Sequence, residues 1–197
     1  MFTGIVLGRG TVHQIEPMGA DSRLHINSGS LDLSASQEGD SIAVSGACLT
    51  MLEPRVDGFC ADVSTETLEL TTLGTVTAGR SVNLEPALSL SQPLGGHLVT
   101  GHVDGVGTLI SRKPDGRAER FEFELPRGLG RYVARKGSVC VDGVSLTVNG
   151  AEADRFSVCL IPHTLEVTTL GGLAAGDGVN IEIDLLARYV ERLGEYS

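Results

Sequence analysis

The feature that most constrains this chain of 197 residues is an internal repeat with a constant offset of 97 positions. Residues 3–11 return as residues 100–108 with six of nine positions identical, and residues 67–74 return as residues 164–171 with seven of eight identical. Two shorter blocks, in the middle and near the end of the first copy, recur at the same spacing. Because chance does not hold one offset across four separate blocks, the sequence predicts two copies of one small domain.

Each copy is expected to be all-β, because short alternating or β-branched stretches are separated by turn residues. Several short strands in fewer than about 100 residues favour a small closed barrel, since closure removes exposed sheet edges. The glycine pairs Gly8/Gly10 and Gly105/Gly107 fit bulges or tight bends in such a barrel. The predicted strands cover residues 41–44, 59–63, 80–85, 120–125, 156–160 and 178–183.

The predicted domains are residues 1–92 and 93–183, divided in a loop-like stretch, and a helical segment at 184–197 follows them. Asp184 can N-cap a helix that runs to about Tyr196. Its apolar residues, Leu185, Leu186, Tyr189, Val190 and Leu193, form one stripe. The helix falls outside the repeat, so its stripe must pack either against its own chain or between subunits.

Composition narrows the function classes. A formal net charge of −10 disfavours binding to nucleic acid or to anionic membrane surfaces. No apolar run approaches the roughly 18–20 residues of a membrane helix, and the N-terminus lacks the pattern of a signal peptide, so a cytoplasmic location is expected. The four cysteines form no C-x-x-C pair, and no ligand spacing surrounds His97 and His102, so we expect no metal site.

Function is expected where the two copies differ. The thiol of Cys48 corresponds to Ser145, Ser45 to Asp142, and Ile5 to His102. Each difference alone has an ordinary explanation: Cys48 as a buried small residue, the Asp142-Gly143 pair as a turn, and the others as locally satisfied polar groups. Together they indicate two similar pockets with unlike polar groups, which suits two like ligands that are handled differently.

Seven motifs carry a family likeness. They are MFTGIV at residues 1–6, GACLT at 46–50, LGGHLVTGHVDG at 94–105, KGSV at 136–139, DGVSLTV at 142–148, NIEID at 180–184 and ARYVERL at 187–193. Over essentially the whole chain these motifs resemble those of the riboflavin synthases. The resemblance implies an all-β fold of two tandem six-stranded Greek-key barrels plus a C-terminal α-helix. It also implies a homotrimer, with lumazine synthase as a candidate partner in the form of an enclosing shell.

The activity implied by the resemblance is that of a cofactor-independent transferase of riboflavin biosynthesis. Two molecules of 6,7-dimethyl-8-ribityllumazine would be dismutated, by transfer of a four-carbon unit, into riboflavin and 5-amino-6-(D-ribitylamino)pyrimidine-2,4-dione. Each active site would join the N-terminal barrel of one chain to the C-terminal barrel of a neighbour.

The resemblance also assigns residues to two ligand sites. One ligand would contact Gly4, Ile5, Val6, Cys48, Leu49, Thr50, Asp62, Val63, Ser64, Thr65, Glu66 and Thr67. The other would contact Gly101, His102, Val103, Ser145, Leu146, Thr147, Ile161, Pro162, His163, Thr164, Leu165 and Glu166, although the family often has an acid or amide at the position of His163. Lys136 would reach in from an adjacent subunit, and Ser41 and Asp184 would lie near the ligands.

The chemistry explains these residue types. One lumazine must lose a proton from its C7 methyl group, and a nucleophile adding at C7 of the other would break its conjugation. Cys48 as thiolate, the Ser145 hydroxyl or water could be that nucleophile. We expect Asp142 to orient or deprotonate Ser145 and His102 to move protons. Which barrel holds the donor stays open.

A second function class is a binding protein. Lumazine proteins share this fold and hold the same molecule as a non-catalytic fluorescent antenna, and their Cys-Leu-Thr motif and second Gly-His pair are eroded. This chain keeps both motifs, at Cys48 and His102, so its sequence favours the enzyme.

Overall fold

The computed structural model describes residues 1–196, so Ser197 at the end of the predicted helical segment lies outside the described residues. It confirms two all-β barrels in tandem. The first barrel contains β1 (Gly8–Met18), β2 (Asp21–Asn27), β3 (Ser41–Val44), β4 (Ala47–Thr50), β5 (Leu52–Arg55), β6 (Gly58–Val63) and β7 (Ser81–Pro86). The second contains β8 (Gly105–Asp115), β9 (Ala118–Glu124), β10 (Ser138–Val141), β11 (Val144–Ala151), β12 (Arg155–Leu160) and β13 (Gly178–Ile183). The helices are α1 (Thr65–Leu70), α2 (Pro162–Val167) and α3 (Leu185–Gly194).

Both barrels have the same Greek-key strand order. The second closes in the order β10-β11-β12-β9-β8-β13, and the first follows the same path as β3-β7-β1-β2-β6, flanked by β4 and β5. β4 and β5 are consecutive pieces of one strand whose counterpart, β11, is continuous, so each barrel has six strand positions. All six predicted strands are confirmed. Among the described residues no helix is long and apolar enough to cross a membrane.

The glycine pairs do not mark the bulges, which was one of the two alternatives that the sequence left open for them. Strand register shifts between Val12 and Gln14, and again between Leu109 and Ser111, two residues beyond Gly10 and Gly107. A Cβ atom on Gly10 would lie 2.6 Å from the Asn27 carbonyl oxygen, and one on Gly107 would lie 2.7 Å from that of Glu124. These glycines therefore permit close approach of neighbouring strands.

Each barrel has its own apolar core. Leu24, Ile42 and Leu84 are fully buried in the first, while Phe121 and Phe123 are fully buried in the second. The short helices α1 and α2, which the sequence analysis did not predict, each follow the strand that precedes the repeated T-L-E motif. Each of these helices is six residues long, which is less than two turns.

The barrels meet across an approximate two-fold axis. The side-chain amide of Asn83 donates to the Asp142 carbonyl at 2.8 Å, and that of Asn180 donates to the Ser45 carbonyl at 2.7 Å. A Cβ atom on Gly46 would lie 2.8 Å from the backbone nitrogen of Gly143, so the two turns touch directly. These contacts repeat at the offset of 97 and hold the barrels as a matched pair.

Helix α3 begins as predicted, because the Asp184 carboxylate accepts a hydrogen bond from the Leu186 N–H at 3.0 Å. It ends at Gly194, two residues before the predicted end, where glycine disfavours helix. Its charged side faces its own chain: Glu191 accepts hydrogen bonds from Tyr132 and Arg131.

The apolar stripe of α3 faces away from the chain. Leu186, Tyr189, Val190 and Leu193 are each between 61% and 71% exposed. Of the two alternatives for this stripe, packing against its own chain is therefore not what the described structure shows.

Candidate active sites

The two barrels exchange the segments that precede their first strands. Val6 lies just before β1 yet packs against the core of the second barrel, and Val103 lies just before β8 yet packs against the core of the first. The two segments pair with each other where they cross, at Phe2 and Val99, through backbone hydrogen bonds of 2.7 and 3.1 Å. Each barrel mouth is therefore completed by residues from the other copy.

The first site lies at the mouth of the first barrel. The Cys48 N–H donates to the Gly101 carbonyl at 2.9 Å, which holds the crossed segment beside the thiol. A cavity of about 230 Å³ opens between this segment and α1. Its lining residues are Ala47, Cys48, Glu66, Thr67, Leu70, Thr71, Gly101, His102 and Val103. The site brings a half-buried thiol and an exposed imidazole to one cavity.

The second site is the counterpart at the other barrel mouth. The Ser145 N–H donates to the Gly4 carbonyl at 2.8 Å, the same contact displaced by the repeat offset. A cavity of about 480 Å³ lies between the segment that carries Val6 and helix α2, where His163 and Val167 line it. Arg9 also lines this cavity, whereas Ser145 and Gly4 lie beside it and are not among its lining residues within the described part of the chain.

His97 contacts Ser145 directly, a pairing that the sequence analysis did not foresee. The imidazole Nδ1 lies 2.7 Å from the Ser145 hydroxyl oxygen, and the His97 N–H donates to the Thr3 carbonyl at 3.1 Å. Burial lowers the pKa of His97, with the charge of Asp184 acting in the opposite direction. A neutral imidazole at this distance can accept the hydroxyl proton.

The glycine before this histidine gives a signal for the contact. A Cβ atom on Gly96 would lie 2.1 Å from the Thr3 carbonyl oxygen and 2.9 Å from the Ser145 hydroxyl, so only glycine lets the linker run across the site.

The structure groups the expected ligand contacts differently from the resemblance-based assignment. Gly101, His102 and Val103 join Cys48 in the first site, while Gly4 contacts Ser145 in the second. The expected grouping of Gly4 with Cys48 is therefore wrong, because the leading segments cross between the barrels.

The expected contact between Asp142 and Ser145 is also wrong. Asp142 is buried, and its carboxylate accepts a hydrogen bond from the Asn180 N–H at 2.7 Å, as the Ser45 hydroxyl does from the Asn83 N–H at 3.2 Å. Within residues 1–196, no hydrogen bond joins the side chains of Asp142 and Ser145. Burial raises the pKa of Asp142 to about 7.

Comparison with known proteins identifies the family. The lumazine binding domain matches twice, over residues 3–87 and 100–184. The chain belongs to the lumazine-binding-domain family. A riboflavin synthase of Mycobacterium bovis is 48% identical over 197 residues, covering 98% of both chains, and one of Brucella abortus is 46% identical, covering 100% of this chain and 99% of its own. The crystal structure of LumP complexed with 6,7-dimethyl-8-(1'-D-ribityl) lumazine is similar with a TM-score of 0.82, at 25% identity over 92% of this chain and 98% of that chain.

In this member of the lumazine-binding-domain family, the expected site residues Ser41, Ser64 and Asp62 line neither of the two cavities. Ser41 lies opposite Thr50 in the β3–β4 pair. Ser64 caps α1 by accepting from the Thr67 N–H at 3.3 Å. Asp62 forms a double hydrogen bond with the Arg23 guanidinium, at 2.6 and 2.9 Å, and this contact lowers the pKa of Asp62.

Several other residues that the resemblance assigns to the ligand sites lie close in sequence to Cys48, Ser145 or His163. Leu49 and Leu146 are buried in the two cores, Thr147 is exposed beside Ser145, and Ile161 precedes the first turn of α2. Asp184 caps α3 within electrostatic reach of His97.

Lys136 is exposed and adopts a left-handed backbone, with a φ of 71°, as Gly39 does with a φ of 95°. The flanking sequence suggests a one-residue shift between Glu38-Gly39 and Lys136-Gly137, and that interpretation is wrong. The Gly39 N–H donates to the Met51 carbonyl at 2.9 Å and the Lys136 N–H to the Val148 carbonyl at 2.8 Å, so the offset of 97 holds here.

Proposed function

We propose that this chain is a riboflavin synthase, which converts two molecules of 6,7-dimethyl-8-ribityllumazine into riboflavin and 5-amino-6-(D-ribitylamino)pyrimidine-2,4-dione. The relatives of that name align over nearly the whole chain at 46% to 48% identity. The observation that carries the proposal is that two structurally equivalent sites contain different reactive side chains. Equivalent backbone contacts join Cys48 to Gly101 in one site and Ser145 to Gly4 in the other, and the His97 imidazole contacts the Ser145 hydroxyl.

The Ser145–His97 pair makes the second site the place of nucleophilic addition. His97 accepts the proton of Ser145, or of a water molecule held by it, and the oxygen adds at C7 of the lumazine bound there. The lumazine in the first site loses a proton from its C7 methyl group, and His102 is the nearby group that can accept it. Asp142 supports the turn that precedes Ser145.

Holding the two rings together supplies a further part of the rate. Orienting two reactants can contribute about 7–11 kcal/mol of the barrier, so the residues that line the cavities matter as much as the proton acceptors. In this proposal Arg9 and His163 line the second cavity, and Glu66 and Thr67 line the first.

The exposed stripe of α3 supports contact between subunits, and the family resemblance implies that the assembly is a homotrimer. Four large apolar side chains that face solvent on an amphipathic helix are typical of an interface between subunits. In the trimer each active site would combine the first barrel of one chain with the second barrel of a neighbour, and Lys136 would reach the ligand from an adjacent subunit. A cytoplasmic location and lumazine synthase as a partner are further proposals that rest on the sequence resemblance.

Incubation of the purified protein with 6,7-dimethyl-8-ribityllumazine tests the function, with riboflavin formation followed by absorbance. Ser145→Ala and His97→Gln should each lower kcat by about 10²–10⁴, the usual range for general acid–base catalysis. The double variant should be no slower than the poorer single variant, because the two side chains act as a unit. His13→Gln removes an exposed imidazole outside both sites and should react at the parent rate.

Two outcomes would contradict the proposal. Tight binding of the lumazine with no riboflavin formed would indicate an antenna-type binding protein. Additive losses in the double variant would show that Ser145 and His97 act separately.

A further inference from the structure

Two buried glutamates take no part in the proposed chemistry, yet each binds the segment that completes a site. Glu85 on β7 is 5% exposed, and Glu182 on β13 is 4% exposed. They are repeat counterparts, and their surroundings match contact by contact.

Each carboxylate accepts three hydrogen bonds from a crossed segment. Glu85 Oε1 accepts from the N–H and the hydroxyl of Thr3, both at 2.7 Å, and Oε2 accepts from the Gly4 N–H at 3.0 Å. Glu182 Oε1 accepts from the same two groups of Thr100 at 2.7 Å, and Oε2 accepts from the Gly101 N–H at 2.9 Å. Burial raises the pKa of both glutamates, and these hydrogen bonds act against that shift.

The glycines that donate to the carboxylates, Gly4 and Gly101, also accept hydrogen bonds from the strands that carry Ser145 and Cys48. Gly101 accepts from the Cys48 N–H at 2.9 Å, and the Thr100 hydroxyl accepts from the His102 N–H at 3.3 Å. Glu182 therefore fixes His102 relative to Cys48 without touching either side chain.

Glu85 makes the equivalent link in the other direction. Gly4 accepts from the Ser145 N–H at 2.8 Å, and the Thr3 carbonyl accepts from the His97 N–H at 3.1 Å. The carboxylate of Glu85 thus holds both partners of the 2.7 Å Ser145–His97 contact through Thr3 and Gly4.

We propose that Glu85 and Glu182 are positioning residues that act across the barrels. Glu85 of the first barrel sets the Ser145–His97 site of the second, and Glu182 of the second barrel sets the Cys48–His102 site of the first. The proposal deepens the function proposed above and rests on it for its effect on turnover, but its geometric content can be measured without turnover.

Glu85→Gln and Glu182→Gln form a crossed pair of variants, each the matched control of the other. Glutamine keeps one oxygen acceptor and puts an amide N–H₂ group opposite a backbone N–H, so one buried hydrogen bond of the crossed segment is lost. Two site-specific readouts are available on the unliganded protein: the alkylation rate of Cys48 by iodoacetamide, followed by mass spectrometry of its peptide, and the NMR titration of the His97 ring.

Glu182→Gln should change the Cys48 alkylation rate by about tenfold, as expected for one lost hydrogen bond, and leave the His97 titration in place. Glu85→Gln should shift the His97 titration and leave the Cys48 rate within about twofold. Each should lower kcat more than it changes KM. The reverse pattern, or equal effects of both variants on both readouts, would overturn the crossed assignment. A parent protein that forms no riboflavin but gives the crossed pattern would reject the function and keep this inference.

Should a glutamine variant fail to fold, Thr3→Val and Thr100→Val give the same test at lower cost to stability. Each removes a single hydroxyl and keeps the shape of the side chain. Thr100→Val should then affect Cys48 alone and Thr3→Val should affect His97 alone, and the absence of any change in either readout would refute the proposal.

Discussion

Replacing Asp142 by asparagine should change the pH dependence of stability more than it changes catalysis. Asp142 is 6% exposed in the turn between β10 and β11, and burial raises its pKa from the ordinary 3.8 to about 7. Between these two values the folded chain binds a proton at Asp142 that the unfolded chain does not. Its free energy of unfolding therefore falls as the pH rises from about 4 to about 7.

The size of this effect follows from the shift. Each pKa unit corresponds to about 1.4 kcal/mol, so ionising Asp142 in the folded chain costs on the order of 4 kcal/mol above pH 7. Asparagine keeps an oxygen that can accept from the Asn180 N–H at 2.7 Å and carries no charge at any pH. The stability of Asp142→Asn relative to the parent should therefore rise by about that amount between pH 4 and pH 7.5 and stay level above it.

Guanidinium unfolding at a series of pH values and one protein concentration measures the difference. Ser45→Asn is the matched control, since Ser45 occupies the same turn in the first barrel and its replacement introduces no titrating group. A difference between Asp142→Asn and the parent that does not vary with pH would refute the reasoning. Because Ser145 contacts His97, turnover of Asp142→Asn at pH 8 should remain within about tenfold of the parent.

Two further changes test the remaining parts of the site. Cys48→Ala should melt within a few degrees of the parent, because a small residue, Ser145, fits the same position in the other barrel. Its steady-state turnover should fall strongly. Turnover at the parent rate would show that Cys48 is only a packing residue. Truncation after Asp184 removes the exposed stripe of α3 and should give monomers in sedimentation experiments with little activity, whereas an active trimeric truncation would exclude α3 as the interface.

The repeat offset predicts two copies of one domain, and the alternating stretches predict a small all-β barrel in each copy, while the six-stranded Greek-key form is implied by the family resemblance. Strands β3 and β13 begin and end at the predicted residues. At Gly39 and Lys136 the flanking sequence was misleading, because the two residues are counterparts at the constant offset and share a left-handed backbone. The short helices α1 and α2 were missed, since six residues are too few for a helical period to be recognised.

The crossing of the leading segments could not be predicted from the repeat. Residues 3–11 and 100–108 are so similar that either segment suits either barrel, and sequence identity gives no direction. Their placement depends on tertiary contacts, such as Glu85 with Thr3 and Glu182 with Thr100, which repeat the same residue types in both copies.

His97 was missed for a different reason. It lies in the linker ahead of the second copy, where subtracting the offset leads to no residue of the chain, so no comparison between copies could single it out. The usable signal was Gly95-Gly96 directly before it. Two glycines in succession ahead of a histidine indicate a close backbone approach, and Gly96 indeed runs across Ser145.

The crossing and the linker together explain how a duplicated chain can treat two identical ligands differently. Each site takes one wall from each copy, because Cys48 faces Gly101 and Ser145 faces Gly4. Two identical copies arranged in this way would put the same residues in both sites and handle both ligands alike. Because the copies differ at this position, one site has a thiol and the other has a hydroxyl. Because the linker that carries His97 occurs once, it can reach only one of the two sites, and there its imidazole lies 2.7 Å from the Ser145 hydroxyl oxygen.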